Sequence, residues 1–136
     1  MLCDTGPLVA LLDRSDRNHL SCVAVLSTLR APLLTTWACF TEAMYLLARY
    51  GGQPAQDELW GYVEEGILTF HPTSEAEQKE MRTLMQKYRD TPMDLADASL
   101  VVAAHSLGVT QIFTTDSDFY VYRIGGKTPF EVIPAF

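Results

Sequence analysis

Cysteine and histidine are scarce in this chain, three of each, and the way they are scattered excludes whole classes of protein. Cys3, Cys22 and Cys39 are odd in number and widely spaced, with no Cys-x-x-Cys pair and no histidine at finger spacing. Neither a disulfide framework nor a zinc site is indicated, and buried thiols are the expectation. His19, His71 and His105 fall singly and read as surface or core residues rather than ligands or bases. Long apolar runs are also missing. The longest, Leu95 to Ala104, is interrupted by Asp97 and Ser99, so no membrane span is expected. The N-terminus has no basic start before an apolar segment, and acids arrive at Asp4, Asp13 and Asp16. That argues against a secretory signal and for a cytoplasmic protein. Basic residues are few, 10 against 17 acids, for a net charge of -7, which speaks against nonspecific duplex binding. Internal repeats, low-complexity segments and linkers are lacking too. With 136 residues, 48% of them apolar, the sequence reads as one domain over 1–136, able to bury a core without crosslinks.

What is present is an alternation of short apolar runs and amphipathic stretches. Residues 1–4, Leu33 to Thr35, Ile67 to Phe70, Val109 to Thr114 and Phe130 to Ile133 read as strands. Between them, a helix starts around Pro7, whose missing N–H costs nothing in a first turn, and runs through Leu12. A second helix is expected over Asp16 to Arg30, with Cys22, Val25, Leu26 and Leu29 on one face. A third carries Phe40, Met44, Leu47 and Ala48 and stops before Gly51-Gly52, and another runs from about Pro54 to Gly66. Ser74 and Glu77 form a capping-box pattern ahead of Met81, Leu84, Met85 and Tyr88. Asp94 opens the last helix and Gly108 closes it. Strands alternating with helices predict right-handed crossovers and an α/β fold, a three-layer α/β/α sandwich with a mainly parallel sheet of about five strands.

Acidic residues recur where strands end and helices begin. Carboxylates gathered from distant segments repel one another and are costly to bury unpaired, so a fold that collects them commonly does so around a divalent cation. Each also has a plainer explanation. Asp4 suits the cap of the helix that Pro7 starts. Asp94 suits a cap as well, with Asp97 complementing the helix dipole, although Asp97 shares a face with Leu100, Val101 and Ala104. Thr114-Thr115-Asp116-Ser117-Asp118 reads equally as a turn, and Asp118 stays open between a turn role and a contact at the outer edge of a metal site. Glu42 lies opposite the apolar stripe of its helix, and its pattern is that of a solvated residue.

Together, Asp4-Thr5, the helical Glu42, Leu95-Ala96-Asp97-Ala98 and Thr114-x-Asp116-x-Asp118-Phe119 resemble the PIN domain, particularly the VapC-type ribonuclease toxins, over almost the whole chain. The resemblance implies an acidic pocket built from Asp4, Glu42, Asp97 and Asp116, with Asp118 nearby and Thr5 and Thr114 orienting carboxylates or water. It implies a metal-dependent endoribonuclease, with Asp4, Asp97, Asp116 and Asp118 as metal contacts for one or two ions, and cleavage of single-stranded or loop RNA to leave a 3′-hydroxyl and a 5′-phosphate. Hard oxygen ligands suit Mg²⁺ or Mn²⁺, and metal-activated water is the expected nucleophile, since no Ser, Cys or His constellation is visible.

The partners implied by resemblance are a small antitoxin protein and a second copy of the chain; the Met81, Leu84, Met85, Tyr88 face reads equally as a contributor to a homodimer and as an ordinary core face. Arg14, Arg17, Lys79, Arg82, Lys87 and Arg89 are candidates for steering phosphates, though most of them read as solvated helix charges. A housekeeping RNA-processing nuclease of the same family, or a non-catalytic binding module on the same fold, would present much the same sequence. Phosphatases with an aspartyl nucleophile also place Asp after the first strand, but they need a second Asp two residues on, where this chain has Gly6.

Overall fold

Two apolar clusters face away from each other across a central sheet, and the alternation of side chains along each strand assigns residues to one or the other. The computed structural model describes all residues, 1–136. In β1 (Leu2–Cys3), Leu2 belongs to one cluster and Cys3 to the other, and in β4 (Gln111–Phe113) the same holds for Ile112 and Phe113. Helices α1 (Thr5–Leu12), α2 (His19–Ser27) and most of α3 (Trp37–Glu64) cover the Cys3 and Phe113 face. Helices α4 (Glu75–Lys87) and α5 (Leu95–Leu107) cover the other. The strands β2 (Leu33–Thr35), β3 (Leu68–Phe70) and β7 (Glu131–Ile133) complete a five-stranded sheet in the order β3-β2-β1-β4-β7, with every pairing parallel. This is the three-layer α/β/α architecture that the alternating pattern predicts.

The strand order carries a functional consequence. From β1 the chain moves outward to β2 and β3, then returns to place β4 on the other side of β1. The point between β1 and β4, where the direction of winding reverses, leaves a crevice beyond the C-terminal strand ends, where ligands of open α/β sheets collect. Asp4 and Asp116 follow those two strands.

Local departures from the sequence-based expectations have identifiable causes. Helix α2 begins at His19, not Asp16, because Asp13 Oδ1 accepts from the Ser15 N–H (2.9 Å) and Asp16 Oδ1 from the Asn18 N–H (2.8 Å). These side-chain turns take over the backbone before a helix can start. Ala48 is exposed and Ala43 is buried, so the inward face of α3 centres on Phe40, Ala43 and Leu47. The expected break at Gly51-Gly52 is a kink within α3, where Gly52 has φ 65°, a conformation that a Cβ would strain. Ahead of β7, β5 (Arg123–Ile124) and β6 (Thr128–Pro129) form a short antiparallel hairpin around Gly125-Gly126. The three cysteines are buried and free, as their spacing leads one to expect.

The capping box at α4 is formed and extended. Glu77 accepts from the Ser74 N–H (3.0 Å) while its other oxygen meets His71 Nε2 (2.7 Å) and the Ser106 hydroxyl (3.1 Å). Burial pushes this carboxyl up, but the hydrogen bonds from the Ser74 backbone, His71 and Ser106 outweigh it and bring the pKa down to about 2. Glu77→Ala is therefore expected to destabilise the fold by about 1–3 kcal/mol at neutral pH, read from the urea midpoint. Because the folded pKa is lowered, that contribution is present above the ordinary value of 4.5 and fades as pH falls toward 2. A variant whose midpoint equals wild type at pH 7 would contradict this account.

Candidate active site

Each carboxylate at the switch point is held by its own local structure. Asp4 is the residue after β1 and caps α1. Its Oδ1 accepts from the Thr5 N–H (2.7 Å) and its Oδ2 from the Thr114 hydroxyl (2.7 Å). The Thr114 oxygen in turn accepts from the Asp116 N–H (3.0 Å), so the end of β4 is fastened to the acid that follows β1. Asp116 Oδ1 accepts from the Asp118 N–H (2.9 Å) at the start of a single 3₁₀ turn, Ser117–Tyr120. Asp97 lies in the first turn of α5 and forms a reciprocal capping box with Asp94. The Asp97 N–H donates to Asp94 Oδ1 (2.8 Å), and Asp97 Oδ2 accepts from the Asp94 N–H (3.3 Å). The capping explanations for Asp4, Asp94 and Asp97 are therefore correct as far as they go, and they coexist with a second property.

That second property is convergence. Asp4, Asp97 and Asp116 each offer one oxygen, and the three atoms lie within 4.8 Å of one another. Asp4 and Asp97 are only 6% and 7% exposed. The chain's close ion pairs are His71 with Glu77 and His105 with Glu80, so no lysine or arginine neutralises the triad. Burial and the neighbouring carboxylates raise the affinity of this group for protons. Asp4 is pushed up to about 6, chiefly by burial and then by the charges of Asp116 and Glu42, against the hydrogen bonds from Thr114 and Thr5. Asp97 is pushed up to about 8 by burial and by the charges of Asp94 and Asp4. Three hard oxygen donors, converging and unneutralised, fit a small divalent cation of the Mg²⁺ kind.

The remaining sequence candidates take more distant places. Glu42 is exposed on α3 and stands outside the close triad, although its charge bears on Asp4. Asp118 also stands outside it, its carboxyl raised by burial and by Asp116. Thr5 contributes through its backbone N–H, while its hydroxyl donates to the Cys39 carbonyl (3.4 Å). The histidines are engaged elsewhere, His19 with the Ala10 carbonyl, His71 with Glu77 and His105 with Glu80.

Sequence reasoning passed over Tyr122. It is fully buried, packed edge-on against Phe119 and Tyr88, and its hydroxyl donates to Asp97 Oδ2 (3.3 Å). Burial and the charges of Asp97 and Asp118 push its pKa far above the ordinary value, so it remains a donor to Asp97. Nothing in the run Tyr120-Val121-Tyr122 distinguishes it before folding. Gly6 was noticed for a different reason. A Cβ there would come within 2.7 Å of Thr115 Oγ1, so the first turn of α1 needs glycine to approach the loop that carries Asp116.

A parallel α/β sheet with three unneutralised carboxylates at its switch point defines a three-layer α/β protein with an acidic cluster that could hold a metal ion. The PIN domain model matches residues 1–125, and the chain belongs to that family. Ribonuclease VapC26 of Mycobacterium tuberculosis (strain ATCC 25618 / H37Rv) is 27% identical over 135 residues, covering 98% of this chain and all of the relative. Among solved structures, Mycobacterium tuberculosis VapC20, described as a Sarcin-Ricin loop cleaving toxin, superposes with a TM-score of 0.82 at 15% identity. It spans 88% of this chain and 92% of its own, which establishes the shared fold.

Proposed function

We propose that the protein is a metal-dependent endoribonuclease and the toxin of a type II toxin-antitoxin pair, with Asp4, Asp97 and Asp116 holding Mg²⁺ or Mn²⁺ and Glu42 completing the site. The observation that carries this reading is the convergence of three carboxylate oxygens within 4.8 Å without a cationic side chain beside them. The names of the relatives, a ribonuclease and a Sarcin-Ricin loop cleaving toxin, agree with it. A divalent cation bound there supplies Lewis acidity, which acidifies water and takes up charge developing on the phosphodiester.

The chain's own contribution is to keep the donors aimed and rigid. Thr114 and the Thr5 N–H fix both oxygens of Asp4, and Tyr122 and the Asp94 N–H fix Oδ2 of Asp97. The hydroxyls of Thr114 and Tyr122 are spent as donors to carboxylates, which leaves water as the nucleophile. Asp118, whose N–H donates to Asp116, would make an outer contact.

The test is incubation of the protein with single-stranded RNA and Mg²⁺ or Mn²⁺, with a chelator control and the variants Asp4→Asn and Asp97→Asn. Metal-dependent cleavage lost in both variants is the expected result. Equal cleavage by all three proteins would abolish the assignment.

A small antitoxin fits as a partner because an uncompensated acidic site can accept a basic side chain. A short adjoining reading frame with a DNA-binding N-terminus would support the toxin role, and its absence would favour an RNA-processing nuclease. The Met81, Leu84, Met85, Tyr88 stripe packs into the core, with Met81 and Leu84 buried, so a homodimer is proposed instead across the groove of about 820 Å³ between α4 and α5, where Met85 and Leu95 lie among the lining residues. Light scattering at micromolar concentration should give twice the chain mass, and a clean monomer would remove the dimer from this account.

A further inference from the structure

Both tryptophans of the chain stand in one aromatic group, and each leaves much of its ring in solvent. Trp37 opens α3 directly after β2. Its ring lies flat on Phe70, the last residue of β3, with centroids 4.1 Å apart and planes within 6° of parallel. Phe40, buried below, meets Trp37, Phe70 and Trp60 edge-on at centroid distances of 5.5, 4.9 and 4.8 Å. The ring of Trp37 is thus held firmly on one face, yet the residue is 52% exposed and Trp60 is 44% exposed. Half-open rings gain little from burial, and Phe40 with Phe70 already closes this corner of the core.

Residues on either side of Trp37 contact neighbours of the carboxylates. Thr36, which precedes Trp37, has its hydroxyl 2.6 Å from that of Ser99, two residues beyond Asp97. Cys39, two residues after Trp37, accepts from the hydroxyl of Thr5 next to Asp4. Residues 37, 41 and 45 follow one another at helical spacing on the exposed side of α3, about 12 Å from first to last at 1.5 Å per residue. Tyr45 is 62% exposed and carries the Arg49 guanidinium 5.9 Å above its ring, and Glu42 is exposed between the two aromatics. Aromatic rings and arginine serve protein interfaces too, so it is the nuclease reading of the carboxylates that selects a nucleic-acid occupant for these side chains. They match a single nucleic-acid strand, whose bases stack on aromatic faces and whose phosphates meet arginine.

We propose that Trp37, backed by Phe70, is a stacking platform for a base of single-stranded RNA next to the cleaved bond, and that Tyr45 with Arg49 continues the track along α3. This rests on the nuclease reading of the carboxylates and adds a residue-level base subsite to it.

The experiment compares wild type, Trp37→Ala and Trp37→Phe in cleavage of a short single-stranded RNA and of the same strand with one abasic position next to the cut. Losing one base–aromatic stack corresponds to roughly a 5- to 150-fold weakening. Trp37→Ala should raise KM by that factor with kcat changed less than KM, and Trp37→Phe should recover most of it. The abasic strand should cost wild type a similar factor and should leave Trp37→Ala little further to lose. Thermal melting checks that the variants fold, and Tyr45→Ala, a solvent-facing change, provides a second and milder probe in the same direction. An unchanged KM in Trp37→Ala would overturn the platform, as would an abasic penalty equal in both proteins. So would an effect confined to particle mass in light scattering, which would make this face a protein contact. Failure of wild type to cleave any RNA would overturn the nuclease reading beneath it, whereas intact cleavage without Trp37 defeats the platform alone.

Discussion

Asp97→Asn is expected to reduce metal-dependent RNA hydrolysis by at least about a thousandfold while leaving a folded protein, a loss on the scale of removing a main electrostatic group from a catalytic site. Asparagine keeps the shape and one oxygen, which can still accept from the Asp94 N–H and the Tyr122 hydroxyl, and the Asp97 N–H still donates to Asp94. Only the charge and one donor atom of the triad are lost. Asp4→Asn should be at least as severe and less clean. Both Asp4 oxygens accept hydrogen bonds, and the hydroxyl on the Oδ2 side, that of Thr114, also accepts from the Asp116 N–H. An amide NH₂ facing Thr114 would disturb that relay and displace Asp116 as well. Single-turnover cleavage at saturating Mg²⁺, with circular dichroism melts of each variant, reads both effects. Cleavage by Asp97→Asn within tenfold of wild type would show that Asp97 is a helix cap and nothing more.

The difference between these two aspartates also explains what was legible beforehand. Strand positions and the alternation that yields the sheet were readable because each strand is a short apolar run bounded by turn residues. Asp4 and Asp116 were readable because the ends of parallel strands are where such a fold collects ligands. Asp97 was readable as a dipole complement oddly placed on an apolar face and, through the family resemblance, as part of the acidic pocket, and its place beside Asp4 and Asp116 follows when Leu2 pairs with Ile112 and brings β1 beside β4, below α5. Glu42 was never legible from its own surroundings. It is an exposed helical residue, and the structure leaves it outside the close triad, so its catalytic assignment rests on family resemblance together with its influence on Asp4.

Tyr122 shows a different limit, since a buried tyrosine that donates to a site acid has no local pattern to announce it. The β5–β6 hairpin is different again, because the Gly-Gly pair between its strands was a readable turn signal that went unused. The early start assigned to α2 failed for a local reason: two aspartate side chains bonded to nearby N–H groups before the helical ladder could form.

Without metal, the protein should become less stable as pH rises from about 5 to 8, the reverse of ordinary carboxylate behaviour. Asp4 and Asp97 have folded pKa values of about 6 and about 8, above the ordinary 3.8, so the folded state holds protons that the unfolded chain has released. When the unfolded state binds fewer protons, stability falls with pH. The stabilisation tied to these groups is therefore complete below about 3.8 and is lost as pH climbs through 6 and then 8. At about 1.36 kcal/mol per unit, Asp4 alone corresponds to a loss on the order of 3 kcal/mol, and Asp97, whose carboxyl is also pushed up, acts in the same direction. Glu77 works with the opposite sign and in a lower window, between 4.5 and about 2, so the two effects meet at about pH 4 and place the metal-free optimum there. A cation that binds the three ionised carboxylates should reverse the upper limb, adding about 2.7 kcal/mol at a hundred times its Kd. Asp97→Asn should flatten the upper limb even without metal. Urea unfolding at pH 5, 6.5 and 8, with chelator and with Mg²⁺, tests each part. A metal-free midpoint that does not move between pH 5 and 8, or one at pH 8 that Mg²⁺ does not raise, would mean that the three acids do not act as one uncompensated, cation-binding group.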